Sequence, residues 1–128
     1  MKTRTYIITM LLVLFATLVI GQQENKGVYG AACGIVGTDP NLRTSLESMV
    51  ENQWTEVMEE WLDASSWVKR AYAVEGFYRL REKGVLLSAT QLDKIATIKT
   101  SDVLISTCSG CMYIDMSVEM ALEKYNFD

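Results

Sequence analysis

Apolar residues recur along most of this chain at helical spacing, and the widest such stripe lies between Ser66 and Lys83. At about 100° per residue, Trp67, Ala71, Ala73, Val74, Phe77, Tyr78 and Leu80 fall within roughly half the circumference of a helix. A stripe that wide must be covered by more than one neighbour, so residues 66–83 are expected to form the central helix on which the others pack. Ser65 or Ser66 supplies its N-cap, and Gly84 stands where a helix commonly ends in a left-handed residue.

Upstream, Asp39 is expected to cap a helix with Pro40 at its first position, where the missing N–H is harmless. Leu42, Leu46, Met49, Val50, Trp54, Val57, Met58 and Trp61 then repeat at helical spacing, as one long helix or as two short ones broken near Asn52. The short link Ala64–Ser66 suits an antiparallel hairpin with the central helix. Downstream, Val85–Leu87 is an apolar connector, and Ser88 with Gln91 forms a capping box that opens a helix through Leu92, Ile95, Ala96 and Ile98. Thr100 or Ser101 caps a short turn containing Val103, Leu104 and Ile105, which the segment Cys108–Cys111 interrupts. A last amphipathic segment, with Ile114, Met116, Val118, Ala121, Leu122 and Tyr125, is expected to start near Asp115. Gln22–Thr38, with Gly27, Gly30, Gly34 and Gly37 among small residues, is expected to be irregular. The pattern therefore predicts an all-α fold. A compact bundle of about five helices surrounds the central one in a single domain at 39–128, preceded by a glycine-rich arm at 22–38.

At the very start, Lys2 and Arg4 precede an apolar run from Tyr6 to Ile20, shorter than the roughly 20 residues a spanning helix needs. Val19 and Gly21 suit a leader-peptidase site, so residues 1–21 are expected to be a signal peptide cleaved before Gln22. A short leader ending in Gly-Gln resembles those of exported proteins in the Bacteroidota. The chain is thus placed in the periplasm or outside the cell, with no membrane contact beyond the leader. Cys33 in Ala31-Ala32-Cys33-Gly34 lies too far beyond the apolar run to be a lipoprotein cysteine. The full chain has 12 Lys+Arg against 16 Asp+Glu, and loss of Lys2 and Arg4 leaves 10 against 16. A chain near −6 with no basic run has no electrostatic footprint for nucleic acid or an anionic membrane.

Arg70, Ala73, Gly76, Phe77 and Leu80 form an Arg, small, small, apolar, Leu ladder that resembles the helices of HEAT-type repeats. That resemblance implies helical-hairpin packing and an adaptor role, with no catalytic residues.

The chain contains no histidine, which removes Ser-His-Asp and Cys-His nucleophiles, imidazole bases and His-ligated metals. It has no Gly-Lys-Ser/Thr phosphate loop and no dinucleotide fingerprint. Met112 occupies the position of the histidine that haem attachment at Cys108 and Cys111 would require. No cofactor and no metal is expected, and the carboxylates Glu56, Glu59, Glu60 and Asp63 read as a solvated acidic face. Arg70 and Arg81, inside the apolar half of the central helix, are either an anion-binding pair or tied to a carboxylate and to free carbonyls. Trp54, Trp61 and Trp67 read as core, although together on the surface they would mark an inhibitor or accessory subunit.

Cys108-Ser109-Gly110-Cys111 is the one motif with a mechanism attached, since an exported Cys-x-x-Cys can cycle between dithiol and disulfide. It lies near the C-terminus, outside any βαβ unit. Three thiols leave one disulfide and one odd cysteine. A Cys108–Cys111 bridge closes a loop worth about 2 kcal/mol in the chain-entropy model, and a bridge from Cys33 to Cys108 or Cys111 closes one worth over ~4 kcal/mol. Both pairings stay open at this level. The function expected is a small exported helical binding or structural module without catalytic activity, serving an unidentified protein partner. The alternative is a periplasmic thiol–disulfide protein using Cys108 and Cys111.

Overall fold

The computed structural model describes residues 27–34 and 40–128. The expected signal peptide, the N-cap at Asp39 and most of the glycine-rich arm lie outside the described residues. Element order is β1 (Tyr29–Cys33), α1 (Asn41–Glu51), α2 (Thr55–Leu62), α3 (Trp67–Glu82), α4 (Ala89–Lys99), β2 (Leu104–Gly110), β3 (Met112–Ser117) and α5 (Val118–Leu122). The expectation of an all-α bundle is overturned. A three-stranded mixed sheet of order β1-β2-β3 accompanies the helices, with β1 parallel and β3 antiparallel to the central strand β2.

The error has a local cause. Ile114, Met116, Val118, Ala121 and Leu122 satisfy a helical repeat, but Val103 to Thr107 is rich in β-branched residues, and its burial alternates as in a strand. Ser109 pairs with Met112, so Gly110 and Cys111 form a two-residue hairpin loop. Gly110 takes φ +58 there, the conformation that such loops ask of glycine at their first position. The apolar residues expected in a last helix are therefore divided between β3 and the short α5. Part of the expected irregular arm is likewise a strand. Tyr29 pairs with Thr107 and Gly30 with Cys108, and a Cβ on Gly30 would lie 2.6 Å from the Cys108 carbonyl oxygen, so only glycine lets β1 approach this closely.

The helices α1 and α2 are the two short ones, separated at Asn52–Trp54 by Gln53 in the left-handed region (φ 53). Pro40 stands just before α1, at its N-cap, with its carbonyl accepting from Arg43 N. Ser66 caps α3, Gly84 ends it at φ +88, and both hydrogen bonds of the Ser88/Gln91 capping box are present. Packing converges on α3, which contacts α1, α2, α4, α5, β1 and β2. Every residue from Ala71 to Phe77 is buried, so this helix is enclosed all round at its middle. Gly76 is what allows it, because a Cβ there would lie 2.7 Å from Leu46 Cδ1 on α1 and 2.5 Å from Met58 Sδ on α2. The tryptophans stay at the margin: Trp54 is half exposed, Lys69 covers Trp61 and Arg70 covers Trp67.

Candidate functional site

Two charged residues sit among these apolar surfaces. Arg43 lies in phase with Leu46 and Val50 on α1, and Glu75 in phase with Ala71 and Tyr78 on α3, so packing the two helices brings both side chains inside. There they form a two-pronged ion pair: Arg43 Nη1 donates to Glu75 Oε1, and Nη2 donates to Oε2 at 2.9 Å. Arg43 Nε donates to the Gly30 carbonyl at 2.9 Å, and the guanidinium lies 5.0 Å from the centre of the Tyr72 ring. The Tyr29 hydroxyl donates to Glu75 Oε2 at 2.7 Å and lies 3.2 Å from the hydroxyl of Tyr125. Tyr72 donates to the Val28 carbonyl at 2.7 Å and accepts from Gly30 N at 3.1 Å. β1, which has few apolar side chains of its own, is thereby fastened to α1 and α3 by polar contacts.

Burial pushes the Glu75 carboxyl up, but the bonds from Arg43 and Tyr29 and the charge of Arg43 outweigh it and hold the group below the usual carboxylate range. Burial likewise opposes the charge on Arg43, and Glu75 more than restores it, holding the group above the ordinary arginine value. Tyr29 is pushed far up by burial and then by the Glu75 charge; Tyr125 is pushed up to about 12, chiefly by burial. The pair forms part of the lining of a recess of ≈ 470 Å³ with Thr107, Ser109, Met116, Ala121 and Lys124. Both Glu75 oxygens and three Arg43 nitrogens have protein partners, and through them the cluster holds β1 in place.

The cysteines divide differently from the Cys-x-x-Cys pattern. Cys33 is bonded to Cys108 across β1 and β2, with Cα atoms 5.5 Å apart, and Cys111 is free and exposed in the hairpin loop. The dithiol pair on which the redox alternative depends is not formed, because β2 hands Cys108 to the strand on its other side. Peptide mapping without reductant should recover the Cys33–Cys108 peptide and an alkylatable Cys111. Reduction should lower stability by about 4 kcal/mol. Recovery of a Cys108–Cys111 peptide would show that β1 is not held as described.

Arg70 and Arg81 stand near opposite ends of α3, about 16 Å apart along its axis, and do not form one anion site. Arg70 Nε donates to the Ala64 carbonyl and stacks on Trp67 at 4.4 Å, while Arg81 Nη2 donates to the Asp128 carbonyl at 3.0 Å beside Phe127. In the acidic face of α2, Asp63 meets Lys94 at 2.5 Å and Glu59 accepts from Gln91 at 3.0 Å. Among the described residues no three His, Cys, Asp or Glu side chains converge as a metal site.

A concavity of ≈ 740 Å³ runs between α4, α5 and the C-terminal residues. Leu92, Ile95, Ala96, Met120 and Phe127 give it an apolar lining, with Met120 well exposed. Asp93, Glu119, Glu123 and Asp128 rim it against the single cation Lys99. That lysine is engaged, since its Nζ donates to the Tyr125 carbonyl and lies 5.5 Å from the Phe127 ring. The groove is thus lined by apolar and acidic side chains together. Sequence reasoning missed both it and the buried pair. Opposite charges in phase with the apolar stripes of α1 and α3 were the available signal for the pair; the groove has no signal in the sequence, because its walls come from separate segments. No protein-family model, curated protein or solved structure matches this chain.

Proposed function

We propose that this chain is an exported, non-catalytic binding module that holds a basic, amphipathic segment of a protein partner in the groove between α4 and α5. The observation that carries this reading is the groove's composition: four carboxylate side chains beside apolar ones, with the one lysine donating to the Tyr125 carbonyl. A helix with apolar residues on one face and lysine or arginine beside them matches both features. Export rests on the leader at residues 1–21, and a Cys33–Cys108 disulfide is compatible with an oxidising compartment. Among the described residues no helix is long and apolar enough to cross a membrane.

A synthetic leucine–lysine amphipathic helix should bind the mature protein, shift the amide resonances of Leu92, Ala96 and Met120, and weaken as salt rises. Its leucine–glutamate counterpart should not bind, and Glu119→Lys with Glu123→Lys should weaken the basic peptide about tenfold or more. Equal binding of both peptides, or shifts elsewhere, would refute the groove as the site. The intact mass of the exported protein should correspond to a chain beginning at Gln22; a mass that retains Met1–Gly21 overturns the localisation.

A further inference from the structure

Among the described residues β3 is an edge of the sheet, and Asp115 is the one charge it carries against pairing. It carries no lysine, no proline and no bulge against β2, and its side chains Met112, Tyr113 and Ile114 are 61%, 59% and 50% exposed. The two residues flanking a two-residue hairpin loop exchange both backbone hydrogen bonds, so Ser109/Met112, Thr107/Ile114 and Ile105/Met116 are the bonded pairs. The peptide groups of Tyr113 and Asp115 consequently turn away from β2, toward the free edge.

We propose that this edge pairs with the same edge of a second copy, antiparallel about a twofold axis at Ile114, to make a continuous six-stranded sheet. The register follows from which peptide groups are free. Only registers that place Tyr113 and Asp115 against odd-numbered residues of the other copy use the outward N–H and C=O groups. A twofold at Asp115 would set the two Asp115 carboxylates against each other, and one at Tyr113 would leave Met116 and Ser117 unpaired. A twofold at Ile114 engages the whole of residues 111–117. It sets Ile114 against Ile114 and Met112 against Met116 on one face and Tyr113 against Asp115 on the other, with no like charges opposed. Cys111 then faces Ser117, so the free thiols of the two copies lie far apart and the association needs no disulfide. One short strand per copy buries less than the ~1,200 Å² of a standard interface, so the dimer is a weak one, with Kd on the order of micromolar. The surface is separate from the acidic groove.

Sedimentation equilibrium of the mature protein should show a monomer–dimer equilibrium that Cys111→Ser leaves unchanged. Ile114→Lys, which opposes two charges at the axis, should weaken it about tenfold or more. Tyr113→Pro removes an outward N–H without touching the ladder to β2 and should act the same way if Ile114→Lys fails to fold. In the Cys111→Ser background, Ile114→Cys should form an intermolecular disulfide under mild oxidation, because the residues at the axis are a closely spaced non-hydrogen-bonded pair. Met120→Lys, in the groove, should leave the equilibrium unaltered, which separates this proposal from the groove reading. A protein that stays monomeric at all concentrations, or whose dimer is lost in Cys111→Ser, overturns it.

Discussion

Phe77→Ala is expected to lower stability by about 3–5 kcal/mol, a large part of the roughly 5–15 kcal/mol that holds a domain of this size together. Phe77 is fully buried in the middle of α3, next to the glycine that lets α1 and α2 approach. Removing the ring takes away its transfer free energy and leaves a cavity walled by side chains that are themselves fixed on several elements. Because α3 touches six other elements, the surroundings cannot collapse onto the space without disturbing another contact. Thermal and denaturant melts measure the loss. A decrease under about 1 kcal/mol would mean that the centre of the helix bundle is soft enough to refill the site.

Glu75→Ala is expected to match it, at about 3–5 kcal/mol, for a different reason. The substitution leaves the buried Arg43 guanidinium with only the more exposed Glu47, 3.6 Å away, as counter-charge and deprives the Tyr29 hydroxyl of its acceptor. A well-packed replacement of both partners, Arg43→Met with Glu75→Leu, should be less damaging than Glu75→Ala alone, since no unpaired charge then remains. A double variant that loses the sum of the Arg43→Met and Glu75→Leu losses would show that the pair is not coupled. The same cluster sets the pH dependence. The folded chain holds Glu75 below its ordinary value of 4.5, so its contribution is complete above that pH and is lost as acidification carries it through the lower folded value. Tyr125 works in the opposite direction. Raised from 10.0 to about 12, it contributes stability below pH 10 that is lost as the pH climbs through that interval, and Tyr29 adds to the same loss. Stability should therefore form a plateau across neutral pH with an acid limb that Glu75→Ala abolishes in part. An acid limb identical in the variant would place its origin in other carboxylates.

The sequence by itself determined the helices whose signals are local. The Ser66 cap, the Ser88/Gln91 box, the left-handed Gly84 and the apolar stripe of α3 are all contained within a few residues of each other, and the helices formed where those signals stood. Local pattern also drew β3 and α5 as one helix, because a short amphipathic run meets both periods and nothing within it decides between them. What decided was β1. A strand 75 residues away in sequence, bonded through Cys33 and made narrow by Gly30, gave β2 a partner on one side, and β2 in turn gave β3 its ladder. The same holds for Arg43 and Glu75, which are legible as misplaced charges but acquire a role only when α1, α3 and β1 meet. The acidic groove and the free edge exist only in the assembled fold. Helical hydrogen bonds close within four residues and so leave their mark locally, whereas strand pairing, a buried ion pair and a groove draw on residues that only folding brings together.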